Sequence, residues 1–202
     1  THDIYLPKLG REAKPKAKRG DRVVVEITEW PSRHNSPEGK LLEVIGSPSA
    51  PGVDVESVIR QYELPTRFPG KVEAEARRLG TVVTEVDRKG RRDCRKHCVV
   101  TIDPVDARDF DDAISLERIE GRRWRLWVHI ADVSHYVTPK SALDKEARER
   151  GNSTYLIDRV IPMLPEELSN ELCSLKPGVD RLARSVEFVL SGNGRVEQAK
   201  FH

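Results

Sequence analysis

The sequence predicts an α+β protein with a mostly antiparallel sheet. Two observations lead there. Apolar, β-branched runs come in neighbouring pairs joined by turns rich in Gly, Asn and Pro, which is how hairpins are written. Between the pairs stand segments of helical spacing bounded by Pro and Gly. Runs of strands mixed with separate helices make an α+β pattern.

Taken in order, residues 1–19 carry Lys8, Arg11, Lys14, Lys16, Lys18 and Arg19 with Pro7, Pro15 and no periodicity. The stretch reads as a solvated loop or as an arm contacting phosphates. Gly20-Asp21 opens the run Val23, Val24, Val25 and Ile27, which closes at Trp30-Pro31. A polar turn from Ser32 to Gly39 leads to Lys40-Leu41-Leu42-Glu43-Val44-Ile45-Gly46, so the two runs predict a hairpin. Pro51-Gly52 marks a linker, dividing the chain into residues 1–50 and 51–202. Asp54 is the expected N-cap of a helix reaching Tyr62, and Val72, Ala74, Ala76 and Leu79 predict a second helix over 70–79. Val82, Val83 and Val86 fit strand or helix equally, and Arg88 to Lys96 is a basic loop.

Val99-Val100-Thr101-Ile102 predicts a buried strand that Pro104 stops. Residues 113–117 and 123–131 predict paired strands around Gly121, with Leu126, Val128 and Ile130 alternating with Trp127 and His129. Leu143 and Ala147, at i and i+4, predict a helix over 141–150 that Gly151 ends. Pro162, Pro165 and Pro177 make the next stretch irregular. Two strands, 182–190 and 196–201, then close the chain around Ser191-Gly192-Asn193-Gly194.

Composition narrows the function classes. With 35 basic against 33 acidic side chains and a net charge of +2, the chain has no global basic field, so nucleic-acid binding must come from local patches. No apolar run approaches a membrane span, and the first residues show no signal-peptide pattern. Three cysteines, an odd number, lead us to expect a reducing, cytoplasmic setting rather than a disulfide framework. Cys94, His97 and Cys98 fall short of the ligand set of a structural zinc site. A start at Thr1 rather than Met leads us to expect a piece of a longer protein.

The chemistry concentrates in residues 101–113. Asp103, Asp106, Asp109, Asp111 and Asp112 fall within ten positions. Carboxylates so crowded repel one another and take up protons unless cations neutralise them. Magnesium, a hard ion that prefers oxygen ligands, suits the set. A merely solvated acidic loop is the plainer reading, since Asp is at home in turns. A calcium loop fails on spacing, because neither the Asp-x-Asp-x-Asp-Gly order nor its distant Glu is present.

Thr101-Ile102-Asp103-Pro104 followed by Asp106-Ala107-Arg108-Asp109-Phe110-Asp111-Asp112-Ala113 resembles the signature of the RNase II/RNB family of 3′→5′ exoribonucleases. The resemblance continues through 127–137, through Arg150-Gly151-Asn152-Ser153-Thr154-Tyr155-Leu156, through 161–170 and through Leu172-Cys173-Ser174-Leu175. Residues 20–46 resemble the last strands of a cold-shock, OB-type barrel whose front half has no counterpart here. The resemblance thus implies a partial barrel over 1–50 and, over 51–202, the first part of an RNB catalytic domain.

The resemblance also implies an activity: magnesium-dependent (or manganese-dependent) hydrolysis of single-stranded RNA, processively, to nucleoside 5′-monophosphates. Asp103, Asp109, Asp111 and Asp112 match the family's metal aspartates, with Asp111 and its neighbour Asp112 as the catalytic pair. Asp106 matches no required ligand. Tyr155 matches the tyrosine that stacks on the terminal nucleotide, although alone it would read as a half-buried core residue. Arg150 and Asn152, together with Arg159 and Arg181, are candidate phosphate contacts or else ordinary ion-pairing side chains. His129 and His135, which flank Asp132, are expected as wall residues of an RNA channel, because positions three apart on a strand cannot face one metal. The expected partners are single-stranded RNA and the remainder of the same polypeptide. The competing class is a non-catalytic RNA-binding or scaffold module, against which the presence of all four acids argues.

Overall fold

The computed structural model of the chain describes residues 3–6, 16–30, 32 and 35–202. Lys8, Arg11, Lys14 and Pro31 therefore lie outside the described residues. In chain order the elements are β1 (Arg22–Glu29), β2 (Glu38–Gly46), α1 (Val53–Gln61), α2 (Gly70–Leu79), α3 (Glu85–Arg88), β3 (Val99–Val100), β4 (Asp112–Ile119) and β5 (Arg123–Ala131). There follow α4 (Val133–Tyr136), α5 (Ala142–Arg150), β6 (Thr154–Tyr155), β7 (Val160–Ile161), a π-helical turn at Glu167–Leu172, β8 (Ala183–Leu190) and β9 (Val196–Phe201). The chain divides into two compact units, Thr1–Thr66 with Tyr155–Ile161, and Arg67–Thr154 with Pro162–His202.

In the first unit β1 and β2 form the expected antiparallel hairpin. Gly39 is required there, since a Cβ at this position would lie 2.5 Å from Val25 Cγ1 and 3.0 Å from the Glu26 carbonyl oxygen. The outer edge of β2 is partly taken up by Tyr5, which bridges in parallel to Glu38. Its N–H donates to Pro37 O at 2.8 Å, and its carbonyl accepts from Gly39 N at 2.9 Å. Helix α1 starts from Gly52 in the left-handed region rather than from Asp54, which sits in the first turn where its charge suits the helix dipole. Val55 and Ile59 of α1 pack with Ile161, against Leu64 and Leu156. The pair Arg60–Glu43 at 2.8 Å ties the helix to β2.

The second unit is built on the sheet β3-β4-β5-β8-β9, antiparallel throughout. Register places Ala113, Ser115, Trp127, His129 and Ser185 on one face, where all are buried. The opposite face carries Ile114, Leu116, Leu126, Val128, Ile130, Val186 and Phe188; Leu116, Ile130 and Phe201 stay substantially exposed there. A core beside the sheet joins Val72 and Ala76 of α2, Leu143 of α5, Leu168 and Leu172 of the π-helical turn, and Ala131, Tyr136, Leu164 and Leu182. Each fully buried Leu contributes roughly 1.5–3 kcal/mol. Intrinsic helix preferences differ by only a few tenths of a kcal/mol per residue, so packing rather than propensity fixes these short helices. Glu75 of α2 accepts the Ala142 N–H at 2.8 Å, and Ser141 caps α5 by accepting from Asp144 N.

Several expectations need correction. The run 99–102 is not a buried strand. Only Val99 and Val100 pair, at the sheet edge, and Ile102 is 87% exposed. An apolar β-branched run does not reveal whether its neighbours cover it, and this one has a partner on one side alone. Residues 81–97 resolve into the single turn α3, held by a capping box between Thr84 and Asp87. The irregular stretch after Pro165 contains the π-helical turn, in which Cys173 N donates to Leu168 O at 2.8 Å, five residues back.

Candidate metal and RNA site

The acidic loop leaves the sheet after Val100 and returns at Asp112, the first residue of β4. Pro104 O accepts from Ala107 N at 3.0 Å, and the turn so formed carries Asp106 away on an exposed tip. From Arg108 onward the backbone is held from outside. Ser174 Oγ donates to Arg108 O at 2.7 Å and accepts from Phe110 N at 3.1 Å. Leu175 N donates to Phe110 O, and Ala131 N donates to Asp111 O, both at 2.9 Å.

Asp111 sits at the electrostatic centre of the loop. Partial burial first, and then the charges of Asp109, Asp112 and Asp103, push its carboxyl above the usual carboxylate range. The three other acids that the family pattern singles out all act on Asp111, while Asp106 does not figure among the charges acting on it. In kind the donors fit a hard divalent cation, being oxygens whose repulsion a cation would relieve. Among the described residues, no three His, Cys, Asp or Glu side chains converge closely enough to ligate one ion.

The RNA-contact candidates fare differently. Tyr155 is exposed at the start of the 155–161 segment, which belongs to the first unit, and Asn152 is exposed in the second. Arg150 is not available to a phosphate. Its side chain is 3% exposed, stacks 3.7 Å above the Phe68 ring, and donates to Glu146 Oε1, Pro162 O and Arg67 O. Arg181 is likewise buried, bonded to Ser174 O and Asp180 O. Arg159, in the first unit, is exposed and paired with Asp158 at 2.8 Å.

His129 is also corrected. It is buried on the covered sheet face, with Nδ1 2.8 Å from Ser185 Oγ and Nε2 3.3 Å from Ser115 Oγ, and offers no surface to RNA. Burial and the nearby His97 push its imidazole below the ordinary histidine range. Asp132 is fully buried. Arg91 meets its Oδ2 at 2.8 Å and Arg184 meets the same atom at 3.3 Å, while Ser134 Oγ donates to Oδ1 at 2.7 Å. Burial alone would raise this carboxyl. The Ser134 hydrogen bond and the close Arg91 contact, with the charges of Arg184 and Arg91, outweigh it and hold the group below the usual range. His135 continues the network, its Nδ1 3.3 Å from Arg91 and its Nε2 3.0 Å from Asp87. Thr84 and His135 hold the Asp87 carboxyl down at about 2. No motif announced this network; its partners are separated by up to about fifty positions and one more arginine on β8.

Against this geometry, residues 91–202 match the RNB domain family and residues 1–69 match the cold shock domain family. Ribonuclease R of Vibrio parahaemolyticus is 48% identical over 202 residues, covering 100% of this chain and 24% of its own length. Ribonuclease R of Thermotoga maritima is 50% identical over 199 residues, 97% of this chain and 28% of its own. The solved structure of Mycoplasma genitalium RNase R in complex with ribose methylated single-stranded RNA superposes with a TM-score of 0.87 at 29% identity, covering 100% of this chain and 31% of that one. The chain spans about a quarter of the length of the curated relatives it matches.

Proposed function

The chain belongs to the RNB family, and from that premise we propose that it is the acid-bearing part of a magnesium-dependent 3′→5′ exoribonuclease that hydrolyses single-stranded RNA processively to nucleoside 5′-monophosphates. The observation that carries this is the crowding at Asp111, on a loop held at Arg108, Phe110 and Asp111, where partial burial first and then the charges of Asp109, Asp112 and Asp103 raise its carboxyl. Positive charge arriving there would relieve the repulsion. Asp103, Asp109, Asp111 and Asp112 would hold magnesium, with manganese as a substitute of the same oxygen preference. The ion, when bound, would supply charge for the developing pentacovalent phosphate and activate a water.

The chain's own residues supply the rest. The loop backbone, pinned at Arg108, Phe110 and Asp111, keeps the acids from recoiling from one another. Exposed Tyr155 offers a ring for a terminal base, and stacking of this kind accepts any base. Asn152 adds an exposed amide for the RNA backbone. That the Mycoplasma relative was solved with single-stranded RNA supports RNA as the partner.

The test uses 5′-labelled single-stranded RNA with magnesium, the wild-type chain, Asp111→Asn and a chelator control. A ladder shortening from the 3′ end is expected, with Asp111→Asn slower by at least about 10²–10³-fold while RNA binding is retained. One observation favours a second reading, a binding module with an incomplete site: no three acids converge on a common point among the described residues. RNA bound but never shortened, with and without magnesium, would select that reading.

A further inference from the structure

Ser174, whose bonds hold the acidic loop at Arg108 and Phe110, is fully buried and reaches that loop through one hydroxyl. Its single hydroxyl donates to Arg108 O at 2.7 Å and accepts from Phe110 N at 3.1 Å. Those two groups belong to the peptide units on either side of Asp109. The next residue along, Leu175, donates its N–H to Phe110 O, and Ala131 donates to Asp111 O, each at 2.9 Å. These groups occupy the peptide units flanking Asp111. Every peptide unit from Arg108 to Asp112 is thus tied to something outside the loop, and both units at Asp109 are tied to one oxygen atom.

The anchor is itself rigid. The π-helical turn Glu167–Leu172 ends at Cys173, whose N–H returns to Leu168 O at 2.8 Å. Ser174 N donates to Glu171 O, and Ser174 O accepts from Arg181 Nε, whose side chain is 7% exposed and pairs with Glu171. Leu172 and Cys173 beside it are buried in the core. Burial first, and then the charges of Asp111 and Asp132, push the Cys173 thiol up to about 12. A π-helical turn inside a helix-poor stretch often marks a functional element, and this one delivers a hydroxyl to a loop sixty-odd residues away in sequence.

We propose that Ser174 is a positioning residue: its hydroxyl fixes the backbone on both sides of Asp109 and so sets the spacing of the carboxylates that receive the cation. The inference rests on the reading of Asp103, Asp109, Asp111 and Asp112 as the cation's ligands. Like-charged side chains drift apart unless their backbone is held, and groups that orient ligands in this manner are worth about 10–100-fold in metal affinity. Losing the hydroxyl also leaves Phe110 N–H and Arg108 C=O without their partner.

The test titrates Mn²⁺ alone into the 202-residue chain, followed by calorimetry or by the loss of the free-ion spin-resonance signal, for the wild type, Asp111→Asn and Ser174→Ala. Amide hydrogen exchange is measured on the same samples. The expected result is a wild type that binds, an Asp111→Asn that does not, and a Ser174→Ala weakened about 10–100-fold. Exchange at Phe110 should quicken in Ser174→Ala while β5 and β8 stay protected. Unchanged affinity in Ser174→Ala, with Asp111→Asn still defective, overturns the inference and leaves the proposed function standing. A wild type that binds no better than Asp111→Asn overturns the ligand reading itself. Should Ser174→Ala fail to fold, Ser174→Cys keeps the volume with a weaker donor and acceptor, and its affinity decides in the same two directions.

Discussion

Asp111 and Asp132 flank the paired ends of β4 and β5, where the carbonyl of Asp111 accepts the N–H of Ala131, the residue before Asp132, at 2.9 Å. Their carboxyls are nevertheless pushed in opposite directions. Asp111 is partly open to solvent and is raised, by partial burial first and then by the charges of three other aspartates. Asp132 is wholly buried, where desolvation should raise it most, and is lowered, because Arg91, Arg184 and Ser134 converge on it. Burial does not decide the outcome here; the partners do. A carboxylate paired with arginines is finished as a ligand and serves the fold, whereas one acted on by like charges is the kind that a cation would relieve, as proposed above. The same contrast separates Arg150, whose guanidinium is used up inside the second unit, from a true phosphate contact.

The contrast is broken most strongly at Asp132. Asp132→Asn keeps the volume and removes the charge that Arg91 and Arg184 share. It should cost about 2–4 kcal/mol, the range for opening a buried pair, reduced because Arg184 is largely exposed. The lowered carboxyl supplies stability above its unfolded value of about 3.9 and loses it as pH falls through the folded value. Urea unfolding at pH 7 should therefore separate wild type and variant widely, and the gap should narrow as pH falls below the unfolded value and through the lowered folded one. Equal stability at pH 7 would mean that the arginines carry the site without the acid.

The two arginines sharpen the point. Arg91 is mostly covered, meets Asp132 at 2.8 Å, and also donates to Asp87 O at 3.0 Å. Arg184 is 68% exposed and 3.3 Å from the same oxygen. Arg91→Met should cost about 1–2 kcal/mol, and Arg184→Met less than about 0.5 kcal/mol. Matched thermal melts check the order, and a reversed order would assign the neutralising role to β8.

What the sequence discloses follows from the range of the interaction that matters. Strand β5 runs over the predicted 123–131 and α2 over 70–79, because period and turn residues are local signals. The carboxylate cluster was legible for the same reason, five acids lying in one short stretch. Ser174 was not, since its partners Arg108 and Phe110 are 66 and 64 positions away. His129 and Arg150 were misjudged because a side chain's type does not tell whether a hydroxyl from another strand or a ring from another segment will meet it. Val99 and Val100 show the converse, since their β-branched character is right for a strand yet silent about its being an edge.

The smallest effect is the most discriminating. A carboxyl whose folded pKa is raised binds protons more readily in the native state, so its contribution to stability is present below the unfolded value and is lost as pH rises through the folded one. At pH 7, without divalent cations, ionised Asp111 therefore weakens the fold. Asp111→Asn should raise Tm, by about 1–3 °C once solvent screening of this partly exposed group is allowed for. The advantage should shrink on acidification to below about pH 4, where both side chains are neutral. Magnesium should invert the ranking, because an ion bound only by the native wild type stabilises it by mass action and leaves the variant behind. Differential scanning calorimetry at two pH values, with and without magnesium, reads all four conditions. A variant less stable than wild type in the absence of metal would show that Asp111 is already neutralised within the protein, as Asp132 is, and the difference between the two carboxylates would vanish.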